Sequence, residues 1–121
     1  MLHFAKMNKP RALKNVPKLD ADFFRQGKDG SEPVPAWLKS LPQAEMSEIG
    51  KDILAVQFGW PLGLPLVDHV DGDIWEVRTK LVNRIARVLF VVNDNTMVLL
   101  HGFIKKSKKH QNLTWIWPTI D

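Results

Sequence analysis

IWEVRTKLVNRIARVLFVVNDNTMVLLHGFIKK, residues 74–106, is the stretch whose period decides the fold. In IWEVRTK (74–80), Trp75, Val77 and Thr79 alternate with Glu76, Arg78 and Lys80, so one side is apolar and the other charged. A period of two is the period of a β-strand with two unlike faces. IARVLFVV (85–92) is β-branched and almost wholly apolar, as expected of a central strand buried on both faces. NDNT at 93–96 has turn composition, and MVLLHGFIKK (97–106) returns as the hairpin partner. These segments predict a three-strand antiparallel meander.

Upstream the period becomes helical. QAEMSEIGKDILAVQFG repeats Met46, Ile49, Ile53 and Val56 at steps of three and four, which lines one face of a helix of about four turns. Gly59 is a stop signal, and WPLGLPL is a rigid connector. Before it, SEPVPAWLKSLP opens a shorter helix: Ser31 or Glu32 lies near the start, prolines stand where no amide donor is needed, and Pro42 follows the end. DADFFRQ (20–26) fits a short edge strand, broken by GKDGSEP. The order predicts an α+β domain in which an N-terminal strand and two helices pack on an antiparallel sheet.

Composition narrows the chemistry. With 121 residues, 45% hydrophobic and 25% charged, the chain is one ordinary domain rather than a disordered one. A net charge of +4 favours an anionic partner. There is no cysteine, which excludes disulfides, thiol chemistry and cysteine zinc sites. His3, His69, His101 and His110 show no metal-ligand spacing, and no phosphate loop is present, so neither a metal nor another cofactor is expected. The run VLFVV is too short to span a bilayer, and the N-terminal stretch lacks the apolar region of a signal peptide. A cytoplasmic protein with no membrane partner is the expectation.

WLKSLP, VQFGWPLGLPLV, DIWEVR, RIARVLFVV and VLLHGFIKK, in this succession, resemble the phage-derived HigB-like branch of the RelE/ParE toxin superfamily. The resemblance runs from about residue 22 to residue 109. It implies a RelE-like fold and the toxin of a type II toxin–antitoxin system, a ribosome-associated mRNA endoribonuclease held by a helix-turn-helix antitoxin. Its partners would be that antitoxin, mRNA and the ribosome, with a homodimer left open. Two other readings are carried beside it: an inactive remnant that still binds its antitoxin, and a ParE-like inhibitor of DNA gyrase, since the fold serves both targets.

Metal-free RNA cleavage needs a base for the 2′-hydroxyl, cations for the anionic transition state and an acid for the leaving oxygen. Arg87 interrupts an apolar strand and matches the strand arginine that the resemblance places on the reacting phosphate. An ion pair with a carboxylate such as Glu76 is its structural alternative. Arg78 and Arg84 follow, with solvated surface arginine as the alternative, and Lys106 completes the catalytic candidates. Lys105, Lys108, Lys109 and His101 are candidates for RNA binding. His101 alternates with Leu99 and Phe103, however, which also suits a core or edge histidine. Trp75 is read as core, with base stacking as the alternative, and His69 and Glu76 are weaker candidates.

Three segments are expected: a basic, loosely ordered arm at 1–19, the toxin domain at 20–109, and an atypical tail at 110–121. The tail departs from the amphipathic helix that the resemblance implies. A one-base shift after Lys108 or Lys109 would restore such a helix; a genuine tail whose Trp115 and Trp117 cover the core is the alternative.

Overall fold

The computed structural model describes residues 16–106. The arm up to residue 15, and the tail with Lys108 and Lys109, lie outside the described residues. The elements run β1 (Asp20–Phe23), α1 (Pro33–Lys39), α2 (Gln43–Gly59), β2 (Val67–Asp71), β3 (Ile74–Lys80), β4 (Arg84–Asn93) and β5 (Thr96–Lys106). The five strands form one sheet in the order β1-β5-β4-β3-β2, with both helices on one face. The α+β architecture read from the sequence is therefore observed, and it is compatible with a RelE-like fold.

Two details of the sheet differ from expectation. The meander has four strands, because β2 pairs antiparallel with β3 ahead of the predicted three. Residues 67–71 are short, rich in Asp and poor in alternation, which hid the strand. The usable signal was the Asp-Gly-Asp that follows: β2 turns into β3 through Gly72 and Asp73, with Gly72 at φ +54°. The sheet is also mixed rather than antiparallel, since β1 runs parallel to β5 from Asp20↔Thr96 to Phe23↔Leu99.

The β4–β5 turn follows its sequence closely. Asp94 and Asn95 sit at φ 57° and 39°, the left-handed pair that a two-residue hairpin of matching twist requires. Asx side chains tolerate this region better than other non-glycine residues.

The core lies between helices and sheet. Ile49, Ile53 and Val56 of α2 are fully buried, with Met46 packed at their edge, so the predicted stripe is the buried face. Val34 and Leu38 of α1 join them over Val67, Val77, Ala86, Val88, Phe90, Met97 and Leu99. Full burial of each large side chain contributes roughly 1.5–3 kcal/mol.

α1 is set close to β5 by a glycine. A Cβ at Gly102 would lie 2.2 Å from Trp37 Cε3, so only hydrogen at that position lets the indole rest on the strand. At the N-terminal side, the Lys18 and Leu19 amides donate to the Gln57 carbonyl at 2.9 and 3.1 Å, and Gln57 Nε2 donates to the Leu19 carbonyl at 3.0 Å. Leu19 is buried in the core, so the chain is already anchored before β1 begins.

Candidate functional site

The helices cover one face of the sheet, and strand alternation sends Glu76, Arg78 and Lys80 of β3 to the other. Directly opposed residues share a face, so the register reads off that second face in rows. One row runs Arg78, Arg87, Phe103; the next runs Asp68, Glu76, Leu89, His101; a third runs Lys80, Ile85, Lys105. The side of β3 predicted to be polar is thus the one turned away from the helices. The apolar strand β4 is less enclosed than predicted: Val88 and Phe90 are buried beneath the helices, while Leu89 and Val91 on the opposite face are only partly covered.

Arg78 and Arg87 stand directly opposite each other, an arrangement that repels unless a counter-charge intervenes. Glu76 supplies it. Arg87 Nη1 donates to Glu76 Oε2 at 2.8 Å, and Arg78 Nε lies 3.7 Å from the same oxygen. Arg78 Nη1 also donates to the Pro65 carbonyl at 3.4 Å. The three side chains are 6% (Glu76), 16% (Arg87) and 24% (Arg78) exposed, so this is a largely enclosed charge cluster. Burial raises the Glu76 carboxyl above its ordinary value, outweighing the opposing pull of Arg87 and Arg78. Burial likewise lowers the Arg87 guanidinium, against the charge of Glu76, although arginine stays protonated. The ion pair read as the alternative for Arg87 is therefore present, within a cluster that also holds Arg78.

The period-two reading of β5 fails at one point. Leu89 pairs with His101 but Phe90 pairs with Leu99, so Leu100 is an extra residue and β5 bulges. The bulge reverses the phase. Leu99 is in the core, whereas His101 is exposed on the helix-free face rather than in a core position. There its ring stacks on Phe103, with centroids 6.1 Å apart and planes at 26°. Glu76 and His101 are two strand spacings apart, or about 10 Å.

Arg84 does not join this cluster. It begins β4 in phase with the buried Ala86 and Val88, on the helix side, and its Nη2 donates to both carboxylate oxygens of Glu45 in the first turn of α2. That bond raises the Arg84 guanidinium further. The backbone of Lys106 pairs with Arg84, one residue past Lys105, which pairs with Ile85. Lys105 belongs to the row beside the arginines, and its charge acts on Glu76.

Trp75 lies on the helix side, as read from its sequence. It meets Trp60 edge-on at 5.3 Å, and Trp60 meets Phe90 at 5.6 Å. His69 donates from Nε2 to the Gly72 carbonyl at 2.8 Å and leans on Trp75 at 4.7 Å, so both are tied into the β2–β3 corner. Glu76, a weaker candidate from the sequence, stands at the centre of the charge cluster. Its signal was a carboxylate directly between Trp75 and Val77, two residues from Arg78, on a strand facing a second arginine-bearing strand. Among the described residues no group of His, Asp and Glu is arranged to hold a metal ion, and no helix is long and apolar enough to cross a membrane.

The helix-free face thus offers adjacent guanidiniums, a buried carboxylate, an exposed imidazole on an aromatic ring, and flanking lysines. This is machinery suited to an anion and to proton transfer beside it. Among curated proteins none matches the chain. A family model does match, over residues 36–113, from within α1 through β5, and so takes in every strand of the charged face. The chain belongs to the family described as phage-derived protein Gp49-like (DUF891), a family tied to toxins of the RelE/HigB type from toxin–antitoxin systems.

Proposed function

We propose that this protein is the toxin of a type II toxin–antitoxin pair, of the HigB-like branch, and that it cleaves mRNA on the ribosome without a metal. The observation that carries this reading is the Arg78–Glu76–Arg87 cluster on the helix-free face, flanked by Lys105 and His101. Arg87 and Arg78 receive the scissile phosphate, since the planar guanidinium donates paired hydrogen bonds to phosphate oxygens. Glu76, its carboxyl raised by burial, takes the proton of the ribose 2′-hydroxyl. The 2′-oxygen then attacks phosphorus and the bond to the 5′-oxygen breaks. His101, on the far side of the phosphate, returns a proton to that oxygen. The products are a 2′,3′-cyclic phosphate and a 5′-hydroxyl, so proton and charge balance within the site. Fixed arginines stabilise the crowded anionic transition state in place of water. Lys105 and Phe103 extend the surface for the neighbouring nucleotides, one by charge and one by stacking.

A helix-turn-helix antitoxin is the partner this reading implies, and the translating ribosome in the cytoplasm is its setting. Gyrase inhibition rests on the shared fold alone, and no side-chain arrangement described above favours it. The test is cleavage of mRNA on translating ribosomes by the purified chain, with fragment ends identified. Cyclic-phosphate ends from the native protein, and a loss of about 100- to 1000-fold in Arg87→Gln, are expected. Absence of cleavage by the native chain, or undiminished cleavage by Arg87→Gln, overturns the reading. An inactive chain that still bound its antitoxin would then be the surviving description.

A further inference from the structure

Two guanidiniums carry ten N–H donors between them. Glu76 serves both with a single oxygen: Oε2 accepts at hydrogen-bond length from Arg87 and lies beyond it, at 3.7 Å, from Arg78 Nε. The Nε groups of both arginines are buried without a hydrogen-bond partner among the described residues. The cluster is therefore only half neutralised and poorly satisfied, with more donors converging on the spot than one carboxylate oxygen can occupy. Two free phosphate oxygens would fit two guanidiniums better than this one carboxylate oxygen does.

We propose that Arg78 and Arg87 form one anion subsite, occupied in the free protein by the Glu76 carboxylate, and that an RNA phosphodiester binds by exchanging with it. The ligand class rests on the function proposed above; the exchange itself requires no cleavage. Glu76 stands two residues along β3 from Arg78, at the next position on the same face, in the Asp68–Glu76–Leu89 row, so the exchange calls for rotation of one side chain and not for movement of the strands. The exchange has a chemical consequence. While Glu76 accepts from Arg87 its oxygen is engaged; once phosphate takes the guanidiniums, that oxygen is released beside the ribose it is to deprotonate. Arrival of the phosphate and liberation of the base become one event.

The test uses the full chain and a fully 2′-O-methylated RNA oligonucleotide, which binds without being cut, read by fluorescence anisotropy. Glu76→Gln keeps the shape and removes the competing charge. It is expected to bind the oligonucleotide about tenfold tighter than the native chain, because a buried like charge opposing the phosphate is gone. The local charge rises from +1 (two arginines, one glutamate) to +2, so the slope of log affinity against log salt should steepen by about 0.7, the increment for one more counterion released from a single strand. Combining Glu76→Gln with Arg87→Gln should abolish the gain. A cooperatively melting Glu76→Gln with unchanged or weaker binding overturns the exchange. Should that variant not fold, Glu76→Asp, one methylene shorter, is expected to bind tighter by a smaller factor, and no gain there also overturns it. Tighter binding by Glu76→Gln with no mRNA cleavage by the native chain would retain the subsite and remove only the nuclease reading.

Discussion

At the scale of single residues, Glu76 is the most consequential side chain. Its carboxyl is enclosed, and burial raises it above the ordinary glutamate value of 4.5 despite two neighbouring arginines. Asp52 on α2 is raised from 3.8, first by burial and also by the charge of Glu48. For both groups the folded protein holds the proton more tightly than the unfolded chain does. Stability is therefore gained as pH falls through the window from the raised values down to the ordinary ones, and lost as pH rises through it. The melting temperature, followed from pH 7 downward, is expected to rise on entering that window before global acid effects reverse it. Glu76→Gln together with Asp52→Asn should flatten this rise, and an unchanged profile in the double variant would refute the assignment. A buried carboxylate retained against its desolvation cost, where an apolar side chain would pack more stably, is also what a functional group looks like.

Elements are positioned by features that a strict period does not contain. Gly102 lets the Trp37 indole lie on β5, and the bulge at Leu100 returns His101 to the helix-free face one step later. Gly102→Ala would drive a methyl group into Trp37 and lift α1, at a cost of roughly 1–3 kcal/mol. The measurement is chemical denaturation, with Trp37→Leu as the companion. Combining the two should recover part of the loss, since the smaller residue gives room to the methyl. Purely additive destabilisation would show that the close approach is not what Gly102 provides. Read only by alternation, Leu99, His101 and Phe103 share one face; the extra residue in the strand is why Leu99 lies in the core and the other two on the opposite face.

The whole molecule separates its arginines by face. Arg84 binds Glu45 and ties the start of β4 to α2, while Arg78 and Arg87 face away from the helices around Glu76. On the proposed function, Arg84→Gln should therefore lower the melting temperature and leave RNA cleavage per folded molecule near the native level, whereas Arg87→Gln should lose about 100- to 1000-fold. Equal loss of cleavage in the two variants, with both folded, would contradict the division. A net charge of +4 adds a general attraction for an anionic partner, but the division of faces decides which charges are offered to it.

Much of the fold was already legible in the chain. The helical stripe from Met46 to Val56, the alternation of Trp75 to Lys80 and the Asx turn at Asp94 and Asn95 are local patterns, because a helix face or a strand face is set by spacing along the backbone. The wider phage-derived toxin family, though not its branch, was legible too, in the succession from WLKSLP to HGFIKK. The strand at residues 67–71 was not, because it is short and acidic and pairs only through its hairpin with β3. The site was half legible. Arginine is conspicuous in an apolar strand, so Arg87 stood out, but the sequence does not show on which side of a sheet a residue at a strand's start will find a partner. Arg84 and Arg87 are three residues apart and take opposite faces, one held by α2 and the other by β3. Arg78 and Glu76 join Arg87 only through cross-strand register, a relation between residues about ten positions apart. Local spacing determined the elements; pairing across the sheet, a bulge and one missing Cβ decided which charges meet.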